Sequence, residues 1–292
     1  MKRQATKLET VSVIVPADAV PAFEAALSDA CSAVGLFIAD EAAGTWRVEG
    51  VKPQGNNDQL TAGLAMAELA TGISPELHRQ DTEEDGWLAR VYDGFPEQLI
   101  GRRFAVRGTH VTDKRAPGRV TIMLDAGLAF GSGEHGSTRG CLRALERVAY
   151  RKPRRILDMG CGSGILAMGA ATLLHRRVLA VDIDPWSVLV SRQNARLNRI
   201  TPLMNCKLGN GWQAQAVRRS QQFDLVFANI LARPLCLMAR HLAAHLAPGG
   251  TVILAGLLDT QMRAVLAAHR RQGLKLERVL AEGHWRTMVL RK

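Results

Sequence analysis

The run Asp158-Met159-Gly160-Cys161-Gly162-Ser163-Gly164 sets an acid two residues ahead of three alternating glycines. Ile156 and Leu157 precede it, and an Ala-rich stretch opens at Ile165. The loop therefore reads as the joint between the end of a buried strand and the start of a helix. Lacking Cβ atoms, glycines let the backbone take positive φ and lie directly against a ligand, while the helix N-terminus offers free amide N–H groups. In the G-x-G-x-x-G fingerprint that seats a pyrophosphate, the third glycine comes one residue later. Here the third glycine comes one residue early, and an acid precedes the first.

In a doubly wound sheet the ligand lies beyond the carboxyl ends of the strands, where the strand order reverses. Asp158 ends the first expected strand; its carboxylate either holds the glycine loop, meets a cationic ligand, or simply caps the next helix. Asp182, in Val181-Asp182-Ile183-Asp184-Pro185, ends the second. A charged acceptor there suits a pair of ribose hydroxyls. Asp184 reads as the N-cap before Pro185 at the first helical position. Asn229, in Phe227-Ala228-Asn229-Ile230-Leu231, ends the fourth; its amide oxygen suits a substrate amine, and the plainer reading is a satisfied turn residue. Upstream, Asp125–Thr138 carries four glycines, two serines, Glu134 and His135 before a helix from about Thr138. That is either a ligand-covering loop or an ordinary surface loop, and His135 is a base by type only. His241 and His245 lie four apart on an expected helix, but His-Leu-Ala-Ala-His lacks the acid of H-E-x-x-H and a third ligand, so no metal site is expected.

The elements that must position these groups alternate. Strands are expected at 155–158, 178–182, 205–208, 224–229, 250–255, 275–281 and 285–290, with helices at 165–175, 185–198, 233–246 and 259–272. Alternation implies a parallel sheet covered by helices on both faces. The last two strands are joined through Glu282-Gly283-His284, too short for a helical crossover, so the final strand runs antiparallel. The expected fold class is α/β, a seven-stranded Rossmann-like sheet. Ahead of it, a strand at Val11–Val15, a helix from about Val20 to Val34, strands near Leu36–Ile38 and Trp46–Val51, a helix at Leu60–Thr71 and a strand at Trp87–Tyr92 follow an acid-capped β-α-β-β-α-β order. That is the order of a ferredoxin-like α+β domain, with Asp81–Asp85 as a solvated turn. Polar, basic residues 107–119, broken by Pro117 and Gly118, read as a linker. The expected division is 1–106, linker 107–119, and 120–292.

With 292 residues and 47 % hydrophobic residues the chain can bury a good core. No apolar run is long enough for a membrane span, and the N-terminus lacks a signal-peptide core. Five scattered cysteines with no C-x-x-C pair argue against a disulfide framework or zinc site and for a reducing cytosol. The net charge of +11 is uneven: residues 1–100 hold 16 acidic and 7 basic residues, and 101–292 hold 11 acidic and 31 basic. The basic half is either solvated helix faces or a surface that settles against something acidic, such as ribosomal RNA.

The D-x-G-x-G-x-G loop resembles that of enzymes binding S-adenosylmethionine. More specifically, LDAGLAFGSGEHGSTRGCL, ILDMGCGSGILA, AVDIDPWSV, FANILARPL and the closing GHWRTMVLR resemble the bacterial ribosomal protein L11 methyltransferases, closely over 119–292 and more loosely before. The resemblance implies S-adenosylmethionine as cofactor and the stalk-base ribosomal protein as substrate, methylated on lysine ε-amines and its N-terminal α-amine. It implies a monomer whose small first domain recognises the substrate. Cofactor contacts carry over to Thr138, Gly160, Asp182 and Asn229; the loop itself adds Asp158, Gly162 and Gly164. The family's usual G-T-G-T-H-P-T-T reads here Gly131-Ser132-Gly133-Glu134-His135-Gly136-Ser137-Thr138, where Glu134 adds a charge and Gly136 removes proline stiffness.

On this reading Asn229 orients the attacking amine and water takes the proton. Two alternatives belong to other classes. A methyltransferase acting on another protein or on ribosomal RNA would keep the same cofactor site, and NILA lacks the N-P-P-[YF] motif of the glutamine- and adenine-methylating enzymes. A non-catalytic cofactor- or ribosome-binding protein is at odds with the intact glycine loop, Asp182 and Asn229.

Overall fold

The computed structural model describes residues 8–31, 33–40, 43–55, 57–81, 97–109, 111, 116–124 and 136–292. The chain divides into two compact units, Met1–Trp87 and Leu88–Lys292.

In the first unit, β1 (Leu8–Pro16), β2 (Ala33–Asp40), β3 (Thr45–Pro53) and β4 (His78–Asp81) form a sheet of order β2-β3-β1-β4, with helices α1 (Val20–Ala30) and α2 (Asp58–Thr71). β1 pairs antiparallel with both β3 and β4. Val11, Val13 and Val15 alternate inward and, like Phe23 and Leu27 of α1, are buried. Helix α1 ends earlier than the expected Val34, because Cys31 is already extended (φ −114°, ψ 150°) and Val34 belongs to β2. The expected strand at Trp87–Tyr92 lies outside the described residues, as do Thr82–Asp85 of the acidic turn. Among the described residues the fourth strand of the sheet is His78–Asp81, exposed at every position. It therefore carries no alternation that periodicity could detect. Lys52 and Glu9, both buried, pair at 2.8 Å across β1 and β3, and this contact holds the Glu9 carboxyl below its usual range.

In the second unit, β5 (Gln98–Ile100), β6 (Phe104–Gly108) and β7 (Val120–Leu124) make a three-stranded sheet, β6 and β7 running parallel. Residues 98–106, expected with the first domain, thus lie with the second, and Arg107 and Gly108 of the expected linker are strand. Five consecutive buried residues in β6 show no alternation, and the sequence around them is too basic to read as core. After α3 (Gly136–Val148) come β8 (Ile156–Met159), α4 (Ile165–Leu174), β9 (Val178–Asp182), α5 (Pro185–Leu197) and β10 (Met204–Leu208). The one-turn α6 (Gln215–Arg218), β11 (Phe223–Asn229), α7 (Ala232–His245), β12 (Leu246–Leu258), α8 (Asp259–Arg270), β13 (Lys275–Glu282) and β14 (Trp285–Arg291) complete it.

These seven strands, β8 to β14, form one sheet of order β10-β9-β8-β11-β12-β14-β13. Only β14 runs antiparallel to its neighbours. β12 begins at Leu246, four residues before the expected start at 250, with a register shift against β11 between Phe223 and Leu225. Side chains of alternate parity feed two buried clusters, one per face. Leu142, Leu145, Ile165 and Phe227 belong to one, Leu235, Leu242, Val265 and Leu254 to the other. Burial on both faces explains why the central strands read as continuous apolar runs.

Candidate active site

The strand order reverses between β8 and β11, and the groups singled out in the sequence gather at the carboxyl ends on either side of that point. The glycine loop follows β8 with φ of +71°, +50° and +80° at Gly160, Gly162 and Gly164. Side chains are excluded at two of these for a second reason. A Cβ on Gly160 would lie 2.4 Å from Ile230 Cγ2, and one on Gly164 would lie 2.4 Å from Ser191 Oγ. The loop is therefore pressed between the segment leaving β11 and helix α5. Gly160 N donates to Val181 O at 2.8 Å, and the buried Asn194 amide of α5 donates to Ser163 O at 2.9 Å.

Asp182 ends β9 half-buried and organises this edge. Its Oδ2 accepts from Gly162 N at 2.8 Å and its Oδ1 from Asp184 N at 3.0 Å. Each oxygen keeps further acceptor capacity. Asp184 in turn accepts from Trp186 N and Ser187 N, at 3.1 and 2.8 Å, capping α5 with Pro185 at its first position.

Asp158 is buried, and its Oδ2 accepts from Ala167 N in the first turn of α4 at 2.9 Å. That is a helix-capping contact, one of the three roles the sequence left open. Among the described residues its Oδ1 has no hydrogen-bond partner. Burial, with the Asp182 charge adding to it, pushes the carboxyl up to about 7 against the opposing effect of the Ala167 amide.

Asn229 ends β11 half-buried, and its Nδ2 donates to the buried Thr138 Oγ1 at 3.4 Å. A residue of α3 and one of β11, 91 positions apart, are thus brought together. Helix α3 starts at Gly136 rather than about Thr138. A Cβ on Gly136 would lie 2.8 Å from Trp285 Cδ1 and 2.9 Å from Glu282 O. Glu282 also binds Arg139 and Arg143 of α3. The closing motif GHWRT, given no role from sequence, therefore seats the helix that carries Thr138. The covering-loop residues Asp125–His135, including Glu134 and His135, lie outside the described residues.

Two further residues escaped the sequence reading. Gly256 (φ +79°) brings β12 against the backbone of Ile230, where a Cβ would lie 2.5 Å from Ile230 O. Asn198, ending α5, makes two bonds to β7, Met123 N to Oδ1 at 2.8 Å and Nδ2 to Met123 O at 2.6 Å. A positive-φ requirement is a signal for the first; nothing local signals the second. His245 Nδ1 meets His241 O at 2.8 Å, and its ring lies 5.0 Å from that of Trp212. Among the described residues no group of three His, Cys, Asp or Glu is placed to hold a metal ion, and no helix is long and apolar enough to cross a membrane.

This arrangement can be set beside known proteins. The model of the ribosomal protein L11 methyltransferase (PrmA) family matches residues 10–292. A ribosomal protein L11 methyltransferase of Rhizobium meliloti is 39 % identical over 259 residues, covering 88 % of this chain and 89 % of the relative. One of Bradyrhizobium diazoefficiens is 43 % identical over 230 residues, 78 % of each chain. The crystal structure of a ribosomal protein L11 methylase from Lactobacillus delbrueckii subsp. bulgaricus superposes with a TM-score of 0.60 at 30 % identity, over 67 % of this chain and 98 % of that one. With a match that runs from β1 to the last residue, the chain belongs to the ribosomal protein L11 methyltransferase family.

Proposed function

We propose that this protein transfers methyl groups from S-adenosylmethionine to amino groups of ribosomal protein L11, on lysine side chains and the N-terminal α-amine. The observation that carries the reading is the convergence, at one carboxyl edge, of a side-chain-free glycine loop, the Asp182 carboxylate and the Asn229–Thr138 pair.

The residues present fit the cofactor. At Gly160 and Gly162 the positive-φ loop presents backbone bare of side chains, and Asp182 has acceptor capacity left for two ribose hydroxyls after binding Gly162 and Asp184. Asp158 serves by capping α4, which fixes the far side of the loop. When bound, S-adenosylmethionine supplies an electrophilic sulfonium methyl. Everything else asked of the chain is positioning, which can lower such a barrier by several kcal/mol. Asn229 commits its Nδ2 to Thr138, so its Oδ1 is left to accept an N–H of the substrate amine and aim the nitrogen lone pair. A lysine amine with a reference pKa of about 10.4, or an α-amine near 7.7–8.0, loses its proton more readily as the site desolvates it, with water as acceptor.

The first unit, with its β-α-β-β-α-β order and sheet order β2-β3-β1-β4, matches a ferredoxin-like domain, and we assign it to substrate recognition. Its acidic balance complements a basic ribosomal protein, which favours encounter and register. The protein acts in the cytoplasm, as a monomer. Intact-mass spectrometry of purified ribosomal protein L11, incubated with enzyme and S-adenosylmethionine, tests the proposal. Mass gains in whole methyl steps, lost with Asp182→Ala, are expected. No gain while calorimetry still shows cofactor binding would overturn the substrate assignment.

A further inference from the structure

The seven-stranded sheet is chemically polarised. Its carboxyl edge gathers Asp158, Asp182 and Asn229, whereas the opposite edge is lined with arginine. The segments that enter four adjacent parallel strands, in spatial order β10, β9, β8 and β11, carry Arg199, the pair Arg176–Arg177, the pair Arg154–Arg155 and the pair Arg218–Arg219 respectively. All seven are exposed, and the entry segments 152–155, 175–177, 198–203 and 218–222 contain no acid. Neighbouring strands lie about 4.8 Å apart, so this row extends over roughly 15 Å.

The tract is concave and largely uncompensated. A cleft of about 660 Å³ at this edge is lined by Arg154, Arg155 and Arg177 together with the neutral hydrogen-bonding groups of Asn205, Ser220 and Gln221. Asp224 is the carboxylate beside it, and it is already engaged by Arg154 N, Arg155 N and Arg155 Nη2 at 3.0, 2.9 and 2.8 Å. Among the described residues Arg154, Arg176, Arg177 and Arg199 have no carboxylate partner. A second cleft, lined by Arg103, Arg119 and His175, adjoins the same turn before β9. At the head of the entry to β8 stands Tyr150, 72 % exposed, with the Arg151 guanidinium 5.5 Å from its ring centroid.

We infer that this edge is a docking surface for the phosphate backbone of a structured RNA, separate from the methyl-transfer site. Arginine forks pair bidentately with phosphate oxygens. The amide N–H groups of Asn205 and Gln221 between them suit phosphate and ribose oxygens, while the Ser220 hydroxyl already donates to Ala216 O at 2.7 Å. An exposed aromatic such as Tyr150, on the segment that leads into β8, is the kind of stacking platform that single-stranded loops of RNA use and that an acidic peptide does not need. This edge is remote from the glycine loop, and docking there requires no transfer step.

The test is fluorescence anisotropy of a labelled RNA stem-loop with the full-length protein across a salt series. Poly-glutamate of matched charge serves as competitor. The variant Arg154→Glu/Arg177→Glu is compared with Arg240→Glu/Arg263→Glu, which makes the same charge change on exposed positions of α7 and α8. The wild type binds the RNA, and the edge variant weakens it by about tenfold or more and flattens the salt dependence by about 1.4 to 1.8 in slope, the share of two phosphate contacts. The α7/α8 variant leaves both unchanged. Circular dichroism confirms that each variant is folded, and Arg154→Gln/Arg177→Gln gives the same ordering without charge reversal. Equal weakening by both charge reversals would reduce the effect to net charge and overturn the inference. Equally strong binding of poly-glutamate would assign the edge to an acidic protein instead, and absence of RNA binding by the wild type would remove the surface altogether.

Discussion

Replacing Asp158 by asparagine should make the protein more stable at neutral pH, and the size of the gain follows from where that carboxyl sits. It is buried, one oxygen caps α4 through Ala167 N at 2.9 Å, and the other has no partner among the described residues. Burial raises it from 3.8 to about 7, and at about 1.4 kcal/mol per pKa unit this is about 4 kcal/mol of preference for the protonated form. Because the folded value lies above the unfolded one, the carboxyl is neutral in both states below about pH 4 and has no effect there. As the pH rises from about 4 to about 7 the unfolded chain releases the proton while the folded one retains it, so stability falls through that window. The substituted amide would keep an oxygen for the Ala167 N–H and carry no charge to desolvate. Urea unfolding followed by tryptophan fluorescence, for both proteins from pH 4 to 8, should show the difference opening with pH, to about 2–4 kcal/mol in favour of Asp158→Asn at pH 8. Curves that stay parallel over this range would refute the argument that burial governs this carboxyl.

The other expectations concern the site and its frame. Asn229→Ala should lower kcat by about 10²-fold, the scale of a lost orienting group, while calorimetry shows a smaller loss of cofactor affinity than Asp182→Ala; unchanged turnover would exclude the orienting role. Gly164→Ala combines a φ of +80° with a Cβ 2.4 Å from Ser191 Oγ and should destabilise by about 2–4 kcal/mol. Gly273→Ala, with φ +84° and no described atom within 4 Å of the added Cβ, isolates the backbone share at about 1–2 kcal/mol, and equal melting temperatures for the two would remove the packing argument. A fragment Leu88–Lys292 keeps β5 and β6 with their sheet, so it should bind S-adenosylmethionine normally yet methylate ribosomal protein L11 poorly; full activity would show that the first unit does not hold the substrate.

The amino-acid sequence by itself determined the alternation of strands and helices from Ile156 onward, because apolar runs such as Val178–Val181 and caps such as Asp184-Pro185 are local signals. It also placed the antiparallel last strand, since Glu282-Gly283-His284 is too short for a crossover. The acid–glycine spacing after β8 was legible for the same reason: a positive φ is a property of single residues. Tertiary structure decided what no local window contains. Strand β4 is exposed at every position and pairs with β1 through its backbone, so it leaves no hydrophobic pattern. Residues 98–108 joined the second unit because β6 found its partner in β7, across a basic segment that reads as a linker. The same applies to the site: Asn229 meets Thr138, and Gly136 admits Trp285 and Glu282, only because the sheet places β11 and β14 beside α3. Spacing along a chain encodes backbone conformation, whereas the meeting of distant side chains is decided by strand order and packing.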